Sequence, residues 1–87
     1  MMNKNWSDDA WDDYEYWQKQ DKKTIKKINA LLKDIERNGA DIGIGKPEPL
    51  KYEKAWSRHI DDYNRLVYDV INDVLFVYSC RGHYEDK

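Results

Sequence analysis

The sequence of 87 residues contains one cysteine, Cys80, and two histidines, His59 and His83. A single cysteine excludes an intramolecular disulfide and a zinc site built from several cysteines. The two histidines form no metal-binding motif such as HxxxH, so we expect neither a metal ion nor any other cofactor. Cys80 itself is interpreted as a small buried hydrophobe in a strand.

No apolar run approaches 18 residues, which excludes a transmembrane helix of the usual length. The first segment, MMNKNWSDDAWDDYEYW, has no continuous apolar stretch and no cleavage-site pattern, so no signal peptide is expected. The expected location is the reducing cytosol, and no membrane contact is expected. The length is that of a single domain, residues 1–87.

Neither sign of charge is in large excess, because 15 Lys and Arg residues stand against 17 Asp and Glu residues, for a formal net charge of −2. A stable nucleic-acid binder is usually basic, so this balance argues against strong general affinity for RNA or DNA. Four tryptophans and seven tyrosines supply the large side chains that suit protein interfaces and base stacking.

Two helices are predicted in the first half of the chain. Ser7, followed by two aspartates, has the features of a helix start. Asp21 can cap a second helix, in which apolar side chains recur on one face and basic side chains on the other. The dipeptide Asn38-Gly39 is a stop signal. We interpret the basic face as solvated surface; the alternative is a surface that faces phosphate or the ribosome.

Residues 39–51 contain three of the four glycines and both prolines, which indicates a long loop without regular structure. Pro47 and Pro49 restrict the backbone on both sides of Glu48, so this carboxylate is expected to be held in position. The alternative is a stiff loop whose exposed acid has no further role.

Three strands are predicted in the second half of the chain, at residues 56–60, 65–71 and 74–81. Asn72-Asp73 is a two-residue hairpin turn between the last two strands. In that hairpin register Arg65 lies opposite Cys80, close to where the chain leaves toward His83. Helices followed by an antiparallel meander predict an α+β domain, with a helical hairpin packed on one face of a twisted antiparallel sheet.

The candidate functional set has seven members: Glu48, Lys51, Arg58, Arg65, Arg81, His83 and Tyr84. Metal-free cleavage of RNA needs a base for the 2′-hydroxyl proton, an acid for the departing 5′-oxygen, and fixed positive charge around the phosphorane. A glutamate, a histidine and arginines meet these needs, and a tyrosine can stack on a base. By residue type alone the signal is weak, because many small domains contain such residues.

Ordered motifs along nearly the whole chain are far more specific. The segments WSDDAWDDYEYWQKQDKKTIKKINALLKDI, GKPEPLK, WSRHI, NRLVYDV and CRGHY closely resemble the YoeB/Txe toxins of the RelE/ParE-like superfamily of bacterial toxin–antitoxin systems. The resemblance covers residues 5–84 without a large gap. It implies a microbial-ribonuclease-like fold and an endoribonuclease that cleaves mRNA in the ribosomal A site and so stops translation.

The resemblance implies catalytic roles for four residues. Glu48 in GKPEP matches the family's general base, and His83 in the terminal HY matches its general acid. Arg65 in RLVY matches the arginine that stabilises the transition state. Tyr84 matches the tyrosine that orients the substrate. The expected products are a 2′,3′-cyclic phosphate and a 5′-hydroxyl end.

The resemblance also implies supporting partners inside and outside the chain. Lys51 in PLK and Arg58 in WSR match supporting basic positions, and Arg81 is added to them from strand geometry alone. The implied external partners are a cognate antitoxin of the YefM/Axe type, a ribosome with mRNA in its A site, and a second copy of the toxin in a homodimer.

Three departures from the family pattern lie in the same region. His59 in WSRHI stands where the family has a basic residue, so contact with ribosomal RNA at this position would be weaker or pH-dependent. Asn64 precedes RLVY, where a histidine is familiar. Residues 85–87 extend past the terminal HY, and their two acids can raise the pKa of His83 or repel phosphate.

Two other functions are compatible with the sequence. One is a non-catalytic module of this fold that binds the ribosome or an antitoxin, and the other is a ribonuclease that needs no ribosome. An acid, a base and an arginine together favour catalysis, because a protein that only binds does not need them. The weak RNA affinity expected from the net charge favours a substrate that the ribosome presents.

Overall fold

The computed structural model describes residues 2–82. Its elements are β1 (Asn3–Trp6), α1 (Asp8–Gln20), α2 (Lys22–Asn38), β2 (Glu48–Pro49), β3 (Trp56–His59), β4 (Arg65–Ile71) and β5 (Val74–Ser79). Both predicted helices, the three predicted strands and the α+β class are confirmed. Strand β3 ends one residue earlier than the sequence predicted, and β5 ends two residues earlier.

Both helices begin at the capping residues that the sequence indicated. The Ser7 side chain accepts a hydrogen bond from the Ala10 amide at 3.0 Å. Asp21 accepts one from the Lys23 amide and a second from the Thr24 hydroxyl. These bonds satisfy donors that the first turn of a helix leaves without partners. Among residues 2–82, neither helix is long and apolar enough to cross a membrane.

The core lies between the helices and one face of the sheet. The apolar face of α2 is buried there, as its periodicity predicted, against inward-facing side chains of the two central strands. The fully buried members include Ile28, Leu31, Ile35, Leu66, Tyr68, Leu75, Val77 and Cys80. Within residues 2–82 no helix covers the opposite face of the sheet, so its side chains are available for a site.

The sheet has five strands in the order β1-β5-β4-β3-β2. Strands β2 to β5 pair antiparallel, but β1 pairs parallel with β5, so the sheet is mixed rather than wholly antiparallel. The sequence gave no indication of β1. Asn3, Lys4 and Asn5 are exposed and are not residues that favour strands, so the segment becomes a strand through pairing with β5.

A register shift in the β4–β5 hairpin corrects the predicted pairing of Arg65. Ile71 pairs with Val74 as expected, but the register shifts by one residue at Val67 and Tyr68. Arg65 therefore does not lie opposite Cys80; its amide instead donates to the carbonyl of Gly82 at 3.0 Å. A bulge re-aims the chain in this way by adding one residue to one strand.

The prediction that residues 39–51 lack regular structure is wrong at one point. Glu48 and Pro49 form β2, a two-residue edge strand in which Glu48 pairs with Ser57. A proline has no amide hydrogen to donate, which an edge strand tolerates. Glu48 is thus fixed to the sheet as well as restricted by its neighbouring prolines.

The hairpin turn predicts a stabilising substitution. Asn72 and Asp73 have φ values of 49° and 65°, the left-handed backbone of a type I′ turn, in which glycine is preferred at the second position. We expect Asp73→Gly to raise the free energy of unfolding by about 0.5–1 kcal/mol, because only glycine adopts this backbone without strain. Urea denaturation measures the change. Asp73→Ala, which also removes the carboxylate, should instead be less stable than the native protein.

Candidate functional site

The uncovered face of the sheet brings together an acid, an imidazole and a guanidinium. Residues that lie directly opposite each other in antiparallel strands point to the same face. Glu48 pairs with Ser57, and His59 pairs with Arg65. Ser57 also pairs with Val67, so the side chains of three neighbouring strands form two adjoining rows. Glu48 and Arg65, which the sequence assigned to one site, therefore share this face.

Arg65 is half-buried and is held by the turn that precedes it. Its Nη1 atom donates to the carbonyl of Asp61 at 2.7 Å and to that of Asn64 at 3.1 Å. This turn is itself fixed by the Asp61 carboxylate, which accepts hydrogen bonds from the amides of Tyr63 and Asn64. The charge of Arg65 is thus placed by backbone groups that cannot move without opening the turn.

The chain that leads toward His83 is fastened on two sides. The Cys80 amide donates to the Asp13 carboxylate at 3.0 Å, and the Cys80 carbonyl accepts from the Trp17 indole at 2.8 Å. Gly82 donates to the Asn64 side chain at 2.8 Å and accepts from the Arg65 amide. His83 and Tyr84, assigned as acid and substrate-orienting residue, lie outside the described residues.

Cys80 confirms its interpretation as a buried hydrophobe. The side chain is fully buried, and its thiol approaches the carbonyl of Ala10 at 3.7 Å. Burial, with a smaller contribution from Asp13, raises the pKa of this thiol to about 12. The thiolate is therefore absent at neutral pH, and Cys80 is not a nucleophile.

The side chain of Arg58 is not accessible to RNA. It is fully buried on the helix side of the sheet, and each of its five N–H groups has an acceptor. These acceptors are the Tyr68 hydroxyl, the Asp34 carboxylate and the carbonyls of Gly39, Ile42 and Ile44. The sequence placed Arg58 among residues that bind RNA or support the site, and its complete burial leaves only the supporting role. Its support of the site is indirect, through the loop that it holds.

Asp34 on α2 completes this buried cluster. Its carboxylate accepts from Arg58 at 2.5 Å, from the Ile44 amide at 3.0 Å and from the Asn38 side chain at 2.9 Å. The hydrogen bond from Arg58 is the main cause that holds the pKa of Asp34 below its usual range. A charged pair in this position links the loop before Glu48 to the second helix.

Two glycines let the loop pass this close to the cluster. A Cβ atom at Gly43 would lie 1.7 Å from Oδ2 of Asp34, and one at Gly45 would lie 2.8 Å from Leu31. Both glycines also have positive φ values, which other residues rarely adopt. The carbonyl of Gly45 accepts from the His59 amide at 2.7 Å, which ties the loop to β3 just before Glu48.

The remaining two basic residues each lie against an aromatic ring. Lys51 is exposed after β2, with its ammonium 5.3 Å from the ring centroid of Tyr52. The guanidinium of Arg81 stacks on Tyr16 of α1, 3.6 Å from the ring centroid. The strand geometry that suggested Arg81 as a substrate contact did not account for this aromatic partner.

His59 lies on the same sheet face as Glu48 and Arg65. It is half-buried beside Arg65, and burial, Arg65 and Lys46 lower its pKa, while Glu48 and Asp62 act in the opposite direction with smaller effect. His59 is therefore neutral at pH 7. The sequence analysis treated it only as a departure from a motif, although strand alternation places residues 57 and 59 on one face.

Similar proteins share this arrangement of elements. The chain is similar to one in the heterotetrameric YoeB–YefM toxin–antitoxin complex from Staphylococcus aureus, with a TM-score of 0.90 and 49% identity, covering 97% of this chain and 99% of that chain. For the YoeB dimer from the same organism the TM-score is 0.91 at 48% identity, with 95% and 98% coverage. The fold is therefore that of the RelE-like bacterial toxins.

Sequence similarity defines the family within this class. The family model described as the YoeB-like toxin of bacterial type II toxin–antitoxin systems matches residues 6–84. The toxin YoeB of Escherichia coli K12 is 52% identical over 81 residues, which are 91% of this chain and 95% of that protein. This chain belongs to the YoeB-like toxin family.

Proposed function

We propose that this protein is an endoribonuclease that cleaves mRNA in the ribosomal A site without a metal ion and so inhibits translation. The observation that carries the proposal is the shared sheet face of Glu48 and Arg65. The backbone of Gly82 is fastened to Arg65 and directly precedes His83 in the sequence. A base, a positive charge and an acid can thus act on one phosphodiester.

The proposed reaction is an internal displacement at phosphorus. Glu48 takes the proton of the 2′-hydroxyl, and the resulting oxygen attacks the adjacent phosphorus. Arg65 stabilises the charge that develops on the phosphorane. His83 donates a proton to the departing 5′-oxygen, and Tyr84 orients the substrate. The products are a 2′,3′-cyclic phosphate and a 5′-hydroxyl.

The basic residues outside this set have different supporting roles. Lys51 is exposed near β2 and adds positive charge that attracts the RNA backbone. Arg58 acts from the helix side of the sheet, where it holds the loop that ends at Glu48. Arg81, stacked on Tyr16, supports the segment that includes Gly82 rather than the phosphate.

The proposed partners follow from the function and from the relatives. The net charge of −2 favours a substrate that the ribosome presents, because the protein alone would bind RNA weakly. Solved relatives include a YoeB–YefM heterotetramer and a YoeB dimer. We propose a YefM-like antitoxin and a homodimer for this protein as well, acting in the bacterial cytoplasm.

Primer extension on an mRNA translated in a purified system tests the function. The native protein and His83→Ala are each added with ribosomes and without them, and the ribosome-free reactions are run both with and without a metal chelator. Cuts within the A-site codon that need ribosomes and disappear with His83→Ala are expected. Arrest of translation without new RNA ends would instead mean that the protein acts by binding only, and cuts in free RNA would remove the ribosome from the proposal.

His59 predicts a pH dependence of substrate binding. The imidazole is largely neutral at pH 7 because its pKa lies below the usual 6.5, so lowering the pH through this pKa adds a positive charge beside Arg65. We expect KM for ribosome-bound mRNA to fall several-fold between pH 7.5 and 5.5. In His59→Arg, KM should be low and nearly constant over this range, and in His59→Gln it should be high and nearly constant. A native KM that does not change with pH contradicts the assignment.

A further inference from the structure

A cavity of about 390 Å³ opens on the uncovered face of the sheet, next to the proposed catalytic residues. Its lining residues are Glu53, Lys54, Ala55, Val67, Tyr78 and Ser79. Val67 pairs with Ser57, and Ser57 pairs with Glu48, so the cavity continues the row that contains the proposed base. None of its lining residues has a role in the reaction described above.

The floor of the cavity is apolar and does not belong to the core beneath the helices. Val67 and Ala55 are only 4% and 8% exposed, yet neither is part of the hydrophobic cluster on the helix side. The loop before β3 folds over the sheet at this point, with a tight turn in which the Ala55 amide donates to the Glu53 carbonyl. The two apolar side chains are thus buried on the face that carries the site.

An aromatic ring forms one wall. Tyr78 is 39% exposed, and its ring stacks on Phe76 at 6.5 Å with an interplanar angle of 14°. The register shift of the β4–β5 hairpin falls at this residue, between the pairs of Val77 and Ser79. A bulge re-aims the side chain that it carries, so the same feature that moves Gly82 next to Arg65 also places Tyr78 at the cavity.

The rim is polar and carries both signs of charge. Glu53 and Lys54 are exposed neighbours on the loop side, and Ser79 lies on the strand side. A carboxylate accepts hydrogen bonds and an ammonium donates them. Adjacent Glu and Lys side chains can therefore bind a group that presents both hydrogen-bond donors and an acceptor.

We propose that this cavity binds one base of the RNA beside the cleaved bond, with guanine preferred. The inference rests on the proposed function and extends it to substrate selection. Unpaired bases are recognised by stacking on aromatic rings and by hydrogen bonds to their Watson–Crick edges, and Tyr78 and the rim supply both kinds of contact. Guanine presents two adjacent N–H donors to Glu53 and a carbonyl oxygen to Lys54, whereas adenine and uracil present different patterns.

The size and position of the cavity fit this occupant. Pockets for small molecules begin at about 300 Å³, so the space accommodates a single base. Two strand spacings of about 4.8 Å separate β2 from β4, which places the floor on the order of 10 Å from the backbone of Glu48. That separation is within reach of a nucleotide adjoining the one whose 2′-hydroxyl is deprotonated.

The test compares cleavage frequencies at all codons of a translated mRNA pool for the native protein, Tyr78→Ala and Glu53→Gln. We expect Tyr78→Ala to lower cleavage at the sites that the native protein prefers by about tenfold, because a stacked base contributes that much or more. Glu53→Gln should reduce the preference for guanine and leave cleavage at adenine sites unchanged. Tyr78→Phe keeps the ring and should retain the native preference, and urea denaturation of Tyr78→Ala shows that its loss of cleavage is not a failure to fold.

The matched control is Ile71→Ala, because Ile71 is 43% exposed at the hairpin end of β4 and is not a lining residue. It should cleave with the native preference. Unchanged preferences in both Tyr78→Ala and Glu53→Gln, with cleavage intact, would overturn the base site and leave the proposed function standing. The base site is also overturned if Tyr78→Ala binds a purified antitoxin more weakly but keeps the native codon preference. The cavity would then bind a protein partner.

A binding measurement separates this inference from the proposed function. Guanosine 3′-monophosphate is titrated into the native protein while the Val67 methyl resonances are followed by NMR, with uridine 3′-monophosphate as the comparison. A saturable shift with the guanine nucleotide, reduced in Tyr78→Ala, is expected even if no RNA is cut. A protein that cleaves ribosome-bound mRNA but shows no such shift and no change in preference has no base site here.

Discussion

Asp34→Ala is expected to lower the free energy of unfolding by about 3–5 kcal/mol, because it leaves the fully buried Arg58 without its charged partner. The substitution also removes the acceptor of the Ile44 amide, which fastens the loop. Urea denaturation measures the loss. Asp12→Ala, at an exposed position on α1, removes the same charge and should change stability by no more than about 0.5 kcal/mol. An Asp34→Ala protein as stable as this control would contradict the role of the pair.

The same pair predicts the direction of acid sensitivity. Because the pKa of Asp34 is lower in the folded protein than in the unfolded chain, its contribution is fully present above the unfolded value of about 3.9. The contribution is lost as the pH falls through the folded value. The difference in stability between the native protein and Asp34→Ala should therefore be constant near neutral pH and shrink below about pH 4.

Glu48→Gln is expected to lower the rate of mRNA cleavage by about 10²–10⁴-fold, the usual contribution of a general base. The amide keeps the size of the side chain but cannot take the 2′-hydroxyl proton. Because Glu48 is exposed, stability should change by no more than about 0.5 kcal/mol, so the loss is chemical rather than structural.

The matched control for Glu48→Gln is Glu15→Gln, an equal change of charge at an exposed position on α1. Initial rates of cleavage on stalled ribosomes and survival of cells that express each variant are the measurements. The control should cleave and kill like the native protein. Native activity in Glu48→Gln would move the role of base to another residue of this face, with His59 as the first to test.

Local chemistry made the helices and the hairpin predictable. Ser7 and Asp21 cap the helices through their own side chains, and Asn72 and Asp73 are residue types that tolerate the left-handed backbone of a hairpin turn better than most others. The resemblance of the motifs to YoeB/Txe toxins gave the candidate site residues, two of which the fold places on one face.

Features that depend on distant partners could not be predicted. Strand β1 exists because β5 offers it an edge, and nothing in Asn3 to Trp6 indicates a strand. The register shift at Tyr78 has no local signal, so the pairing of Arg65 was one residue off. Arginine is usually found at the protein surface. Burial of Arg58 is favourable only because three loop carbonyls and the Asp34 carboxylate converge on its guanidinium.

The parallel pairing of β1 has a practical consequence for handling the protein. Asn3 pairs with Val74 at the hairpin end of β5, whereas Gly82 lies beyond the other end of that strand, beside Arg65. The length of β5 puts roughly 20 Å between these two points. An affinity tag placed ahead of Asn3 therefore joins an edge strand at the hairpin end of β5, away from Gly82 and Arg65.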